Sequence, residues 1–245
     1  MPVHNLDILY HGATDRGLVR KNNEDFFGAL SSQQFYVLAD GMGGHKAGEV
    51  AAKEAVNYLL SSVRRTLLPK DWKREEICQL LQQLFINTNE RVHEMSLRFP
   101  HYKGMGSTLT SCLFYDRFLI MGHVGDSRLY RFRNGELSRL TSDHLRKTSE
   151  AQKTKMVLTR AIGPSPTLFP DVKSFPVNEN DQYLICSDGL TRELSNEEIS
   201  IHLQSQLPLK EKCQNMILSA KEKGGNDNIT LVLIKVQHIR ELSRQ

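Results

Sequence analysis

QFYVLADGMGGHKAGEVAAKEAVNYLLSSVRRTL, residues 34–67, contains the change of period on which the fold reading turns. Its opening, QFYVLAD, is apolar and aromatic and ends at Asp40-Gly41, the composition of a short strand running into a turn. After Gly44 the pattern changes. Val50, Ala51, Leu59, Leu60, Val63 and Leu67 recur at three- and four-residue steps, which predicts a helix with one apolar face. Pro69 stops that helix, and Asp71 suits the N-cap of a second. The second helix carries Ile77, Leu80, Leu81, Leu84, Thr88, Val92 and Met95 on one stripe and ends before Pro100. Two long helices joined this closely should pack antiparallel and cover one face of a sheet.

Outward from this stretch the chain reads as strands. DILYHGAT (7–14) and EDFFGAL (24–30) precede it; STLTSCLFYD (107–116) and FLIMGHVG (118–125) follow the helices. SRLYRFR (127–133) and ELSRL (136–140) flank Asn134-Gly135, a strong hairpin signal. Residues 143–157, DHLRKTSEAQKTKMV, read as a surface loop or a short exposed helix. QYLICSD (182–188) is a further strand, and Ser195 with Glu198 forms a capping box for a short helix. Another helix runs from about Leu209 to Lys223 and stops at Gly224-Gly225. NITLVLIKV (228–236), apolar on both faces, closes as an interior strand, and the polar tail after Gln237 should fray. Strands in runs and helices in pairs argue an α+β fold in one domain spanning 1–245, with no repeat and no linker.

Composition narrows the function. The 245 residues carry 32 Lys and Arg against 28 Asp and Glu, a net +4, with basic and acidic residues interspersed. Nucleic-acid domains concentrate basic charge on one face, so this balance argues against that partner. No apolar run reaches the roughly 18 residues of a membrane helix, and the N-terminus lacks a signal-peptide pattern, so a cytoplasmic protein is expected. Cys78, Cys112, Cys186 and Cys213 form no C-x-x-C pair and read as isolated, mostly buried thiols.

The chemistry lies in acids at strand ends. Asp40-Gly41 ends one strand, Asp126 follows LIMGHVG, Asp188-Gly189 ends another, and Asp227 precedes the last. A single Asp-Gly after a strand is usually only a turn. Four acids, each abutting an apolar strand and projecting from one sheet edge, would gather negative charge that costs stability unless a cation offsets it. An all-oxygen set selects Mg²⁺, Mn²⁺ or Ca²⁺ rather than zinc, and a two-metal carboxylate site leads the readings. In DGMGGHKAGE, Gly41, Gly43 and Gly44 allow a tight turn that can present a main-chain carbonyl, although no P-loop G-K-[ST] is present.

These motifs resemble the bacterial form of the PPM group of metal-dependent Ser/Thr protein phosphatases, protein phosphatase 2C. The matching segments are DRGLVRKNNED (15–25), ADGMGGHKAGEVA (39–51), GSTL (106–109), GHVGDSRLYRFRNGEL (122–137), LTSDH (140–144), LTRAIG (158–163), CSDGL (186–190) and GGNDNITLVLI (224–234). They stand in the family's order and span about residues 7–236. The resemblance implies a β-sandwich of two antiparallel sheets flanked by pairs of antiparallel helices, a four-layer αββα architecture. It implies two divalent ions, Mn²⁺ or Mg²⁺, bridged by Asp40, with Asp188 and Asp227 completing the first site. The Gly41 carbonyl and Glu24 would serve the second ion, and Asp126 with Asp188 a weaker third. Arg20 would bind the substrate phosphate, while Arg16 and Lys21 read as surface charges. Asp25 would support the ligands from behind or face solvent. The implied reaction is attack on a phosphoserine or phosphothreonine monoester by a metal-bridging hydroxide, with Asp40, Asp188 and Asp227 as the catalytic acids. Implied partners are phosphoprotein substrates of a Ser/Thr kinase, for a monomer that binds neither nucleic acid nor membrane.

The sequence departs from the family pattern at two places. Met42 stands where some relatives carry a His proposed as the leaving-group acid, and His45, His123 and His144 read as structural or solvent-facing. The stretch 145–157 is shorter than the family's usual flap and lacks its H-P-x-R-N element, which leaves a third-metal ligand from that loop in doubt. The alternatives are a pseudophosphatase that binds phosphoproteins without turnover, and a small-molecule phosphatase on the same scaffold.

Overall fold

A computed structural model of the chain describes residues 4–43, 47–66, 72–150 and 153–241. In chain order the elements are β1 (His4–Asp15), β2 (Asp25–Leu30), β3 (Phe35–Met42), α1 (Ala47–Arg65), α2 (Arg74–Arg98), β4 (Gly106–Ser107), β5 (Leu109–Tyr115), β6 (Phe118–Val124), β7 (Arg128–Arg133) and β8 (Glu136–Arg139). There follow β9 (Leu145–Glu150), β10 (Lys153–Leu158), β11 (Asp171–Pro176), β12 (Gln182–Cys186), α3 (Asp188–Thr191), α4 (Asn196–Gln204), α5 (Leu209–Glu222) and β13 (Ile229–Glu241).

Strand alternation builds the layers. Along β3, Phe35, Val37 and Ala39 pack with Val56 and Leu59 of α1 and Ile77, Leu81 and Phe85 of α2. Their neighbours Tyr36 and Leu38 point the other way, into a cluster with Tyr183, Ile185, Val232 and Ile234. On β12 and β13, Leu184, Cys186, Leu231 and Leu233 turn outward onto Ile199, Leu203, Met216 and Ile217 of α4 and α5. Three apolar layers therefore separate four structural ones, the expected αββα sandwich. One sheet runs β1-β13-β12-β7-β8; the other runs β11-β6-β5-β3-β2, with β4 pairing β3. All the pairings are antiparallel.

Several expectations hold locally. Asn134 and Gly135 both have positive φ (52° and 84°) and join β7 to β8 as a tight hairpin. The Ser195–Glu198 capping box opens α4. Cys112, Cys186 and Cys213 are buried, Cys78 partly so, and all four are free thiols.

Others need correction. Residues 145–150 and 153–158 are neither loop nor helix but two antiparallel strands, β9 and β10, in a two-stranded sheet of their own. The tail does not fray after Gln237: β13 continues to Glu241, paired with β1 back to His4. Helix α2 starts at Arg74 with Lys73 at its N-cap, whose backbone N–H donates to Glu76 at 2.7 Å. Asp71, expected there, lies outside the described residues, as do Gly44, His45 and Leu67. Edge strand β11 was not expected; it pairs with β6 and ends at Pro176, which cannot donate to a ladder.

Candidate functional site

Both sheets end at one pocket of about 1020 Å³, lined among others by Arg20, Glu24, Asp40, Gly41, Asp126, Asp188, Arg192 and Asp227. The six-stranded sheet supplies Asp40 from β3 and Asp126 from the turn after β6. The other supplies Asp188, just past β12, and Asp227, just before β13. All the acids expected from strand ends therefore converge.

The backbone beneath Asp40 is held from three sides. Its N–H donates to Thr108 Oγ1 (2.9 Å), and its carbonyl accepts from Thr108 N–H and Ser107 Oγ, both at 2.9 Å. Gly41 N–H donates to the Glu24 carbonyl at 3.1 Å. A Cβ on Gly41 would lie 2.1 Å from the Gly48 carbonyl oxygen, so only glycine lets β3 pass this close to the start of α1. The Glu24 carboxylate fills the space beside Gly48, where a Cβ would meet Glu24 Oε2 at 2.1 Å. Acidic charge there suits the N-terminal end of a helix.

Asp25 pairs with Asp40 across β2 and β3 and is buried; its Oδ2 accepts from Ser187 Oγ at 2.8 Å. This excludes a solvent-facing role for Asp25. Burial pushes it up to about 6, against hydrogen bonds from Thr230 and Ser187. Burial likewise pushes Asp188 up to about 7; Arg192 opposes that rise, and Asp126 and Asp227 add to it. Asp40 is held well above the carboxylate range by burial first and then by Asp25, Asp188, Asp126 and Asp227. Burial also raises Asp126. These are like charges gathered in a poorly solvated place.

Sequence reading missed Arg192 and Asn228. Arg192 closes α3 and pairs with Asp188, four residues earlier, and with Asp227 at 3.2 Å. Arg20 reaches the same oxygen, Asp227 Oδ2, at 2.7 Å. The i,i+4 spacing of Asp188 and Arg192 was the available signal. Asn228 is buried; its Nδ2 donates to the carbonyls of Arg16 and Asn22 (2.9 Å each), and its Oδ1 accepts from Glu24 N–H (2.9 Å). It thereby fixes the loop that carries Arg20 and Glu24.

The histidines do structural work. His123 Nε2 donates to the Ser142 carbonyl (3.1 Å), which leaves Nδ1 to accept from the Thr110 hydroxyl (2.9 Å). His144 Nδ1 accepts from Gly125 N–H (3.1 Å), and the His144 N–H donates to the Gly125 carbonyl (2.8 Å), bracing the residue before Asp126. Both rings are buried. Met42 lines the pocket with Met156, Val157 and Leu158 of the β9–β10 hairpin, an apolar wall opposite the acids.

Among the described residues no three Asp, Glu, His or Cys side chains stand in a closed ligand set; Arg20 and Arg192 hold the outer carboxylates instead. The donors still fit hard divalent cations. They are oxygens only, they raise one another's proton affinity, and Asp25 Oδ1 beside them is buried without a hydrogen-bond partner.

Residues 19–233 match the family model described as Protein phosphatase 2C. The chain is 36% identical over 239 residues to Serine/threonine phosphatase stp of Listeria monocytogenes serotype 4b, covering 91% of this chain and 93% of that protein. The Mycobacterium tuberculosis serine/threonine phosphatase PstP/Ppp superposes with a TM-score of 0.82 at 32% identity, over 94% of this chain and 99% of that one. The catalytic domain of serine threonine protein phosphatase PstP in complex with two manganese ions gives a TM-score of 0.78 at 33% identity, over 96% and 100% of the two chains. Among the described residues no helix is long and apolar enough to cross a membrane.

Proposed function

This chain belongs to the protein phosphatase 2C family, and we propose that it is a divalent-metal-dependent phosphatase for phosphoserine and phosphothreonine in proteins. The observation that carries the reading is the meeting of Asp40, Asp126, Asp188 and Asp227 in one pocket whose mouth holds Arg20 and Arg192. Asp40, Asp188 and Asp227 would hold the principal ions, Mn²⁺ or Mg²⁺, with the Gly41 carbonyl and Glu24 serving the second and Asp126 a weaker third. When bound, such ions supply Lewis-acid charge that makes water acidic and offsets the charge of a phosphoryl group.

The chain's own residues do the rest. Arg20 and Arg192, which share one oxygen of Asp227, are the donors for the phosphate oxygens, and a guanidinium suits two such oxygens at once. Ser107 and Thr108 keep Asp40 from shifting as charge develops, and Asn228 keeps Arg20 and Glu24 on station. The overall change is hydrolytic: a water oxygen bonds to phosphorus, the ester P–O bond breaks, and the serine or threonine oxygen leaves with a proton. Residue 42, a methionine, supplies no proton. Substrates are the phosphoprotein products of a Ser/Thr kinase, and the chain acts as one catalytic domain.

The test is phosphate release from a phosphothreonine peptide with Mn²⁺, Mg²⁺ or EDTA. Turnover should require added metal and fall by at least about 100-fold in Asp188→Ala, as befits loss of a metal ligand. Metal binding without turnover would sink the reading in favour of a binding protein. Turnover of small phosphate esters alone would narrow it to metabolites.

A further inference from the structure

A second cavity, of about 360 Å³, lies on the outer face of the five-stranded sheet, under the end of α4 and the start of α5. Cross-strand register builds its floor. Gln182 pairs with Phe132 on β7 and with Lys235 on β13, so these three side chains stand in a row on one face. From above, Lys212 of α5 reaches down, only 5% exposed; its Nζ donates to Gln182 Oε1 (3.0 Å) and to the Leu203 carbonyl (2.5 Å). Gln182 Nε2 donates to the same carbonyl at 3.1 Å, so the last turn of α4 is capped from within the cavity.

All of these acceptors are neutral. The charged neighbour that acts on the Lys212 ammonium is another ammonium, Lys235, which with burial lowers its proton affinity. Among the described residues neither lysine has a carboxylate partner. Helix α5 also begins at the rim, with Leu209 in the wall, and its N-cap, Pro208, offers its first N–H groups no side-chain acceptor. Two lysines thus face one polar hollow: Glu211, in the first turn of α5, is exposed and lines no part of it, and among the described residues no carboxylate lines the cavity. Burying unpaired positive charge is costly, and a small anion would remove that cost.

We propose that this cavity is a binding site for a small oxyanion, a phosphoryl or carboxylate group, held by Lys235 and Lys212 at the start of α5. The site lies on the helix-covered face and shares no lining residue with the acidic pocket. It does not rest on the catalytic reading.

The test is a ¹H–¹⁵N titration of the metal-free protein with inorganic phosphate and, separately, with citrate. Saturable shifts of the Gln182 side-chain amide and the amides of residues 203–212 are expected, with either anion or both; the one that saturates names the group. Lys235→Gln should weaken binding by about tenfold or more, the value of one charge-assisted hydrogen bond. Lys235→Glu should abolish it and raise the thermal midpoint, because a carboxylate of the chain then balances Lys212. Arg20→Ala should leave these shifts unchanged. Cavity amides that ignore both anions overturn the proposal. So do shifts confined to the surroundings of Arg20 and Asp227, or binding that survives Lys235→Glu.

Discussion

Asn228 uses both ends of its amide to hold residues 16–24 against the strand-end acids, with three contacts at 2.9 Å. Asn228→Ala would strand one N–H and two carbonyls, a loss of about 2–3 kcal/mol. Urea unfolding should show that loss, and KM for a phosphopeptide should rise more than kcat falls, because Arg20 is displaced. An unchanged KM would mean that the loop holds itself. The contrast with Asp40, Asp188 and Asp227 shows which residues were legible from sequence. Those acids announce themselves by ending apolar strands. Asn228 looks like part of a turn, and its partners lie more than 200 residues away. Arg192 looks like a surface charge until α3 turns it back over Asp188.

The β9–β10 hairpin was misread for a physical reason. Apart from Leu145 and the run Met156–Leu158 at its base, its strands are polar, with Arg146, Lys147 and Thr148 in succession, so the pattern gives no strand period. Its strands pair only with each other, and its base is closed by Thr159 N–H to the His144 carbonyl at 2.8 Å. Met156 and Val157 nevertheless lean over the pocket, 58% and 45% exposed. Replacing residues 146–157 with a short glycine linker should change stability by less than about 1 kcal/mol, as for other surface changes. Turnover of a phosphopeptide should fall while that of p-nitrophenyl phosphate persists; equal loss of both would mean that the hairpin shapes the acids themselves. The buried helices and strands were legible because alternation and 3.6-residue stripes report burial. The far end of β13 was not, since beyond Val236 only Ile239, paired with Leu6, packs against the core.

At the scale of the whole molecule, one pH-dependent part of the stability rests on His123, which burial, aided by His144, lowers from 6.5 to about 4. Folded protein therefore keeps the ring neutral while the unfolded chain takes up a proton. The part of the stability that rests on His123 is whole above about pH 6.5 and is lost as pH falls toward 4, by at most about 3 kcal/mol. Unfolding free energies of wild type and His123→Asn, compared across that range, should converge as the solution becomes acidic. A constant difference would remove His123 as the cause.

β1, the first of the described strands in chain order, has β13, the last of them, as its neighbour in the sheet. A chain emerging from the ribosome thus holds its opening strand unmated through nearly the whole of synthesis, and Asp227 arrives only with that closing partner. Until β13 is made, no nascent chain can hold both β1 and Asp227 in place. Translation interrupted before Asp227 releases products whose β1 has no partner strand and whose pocket lacks one of its four strand-end acids.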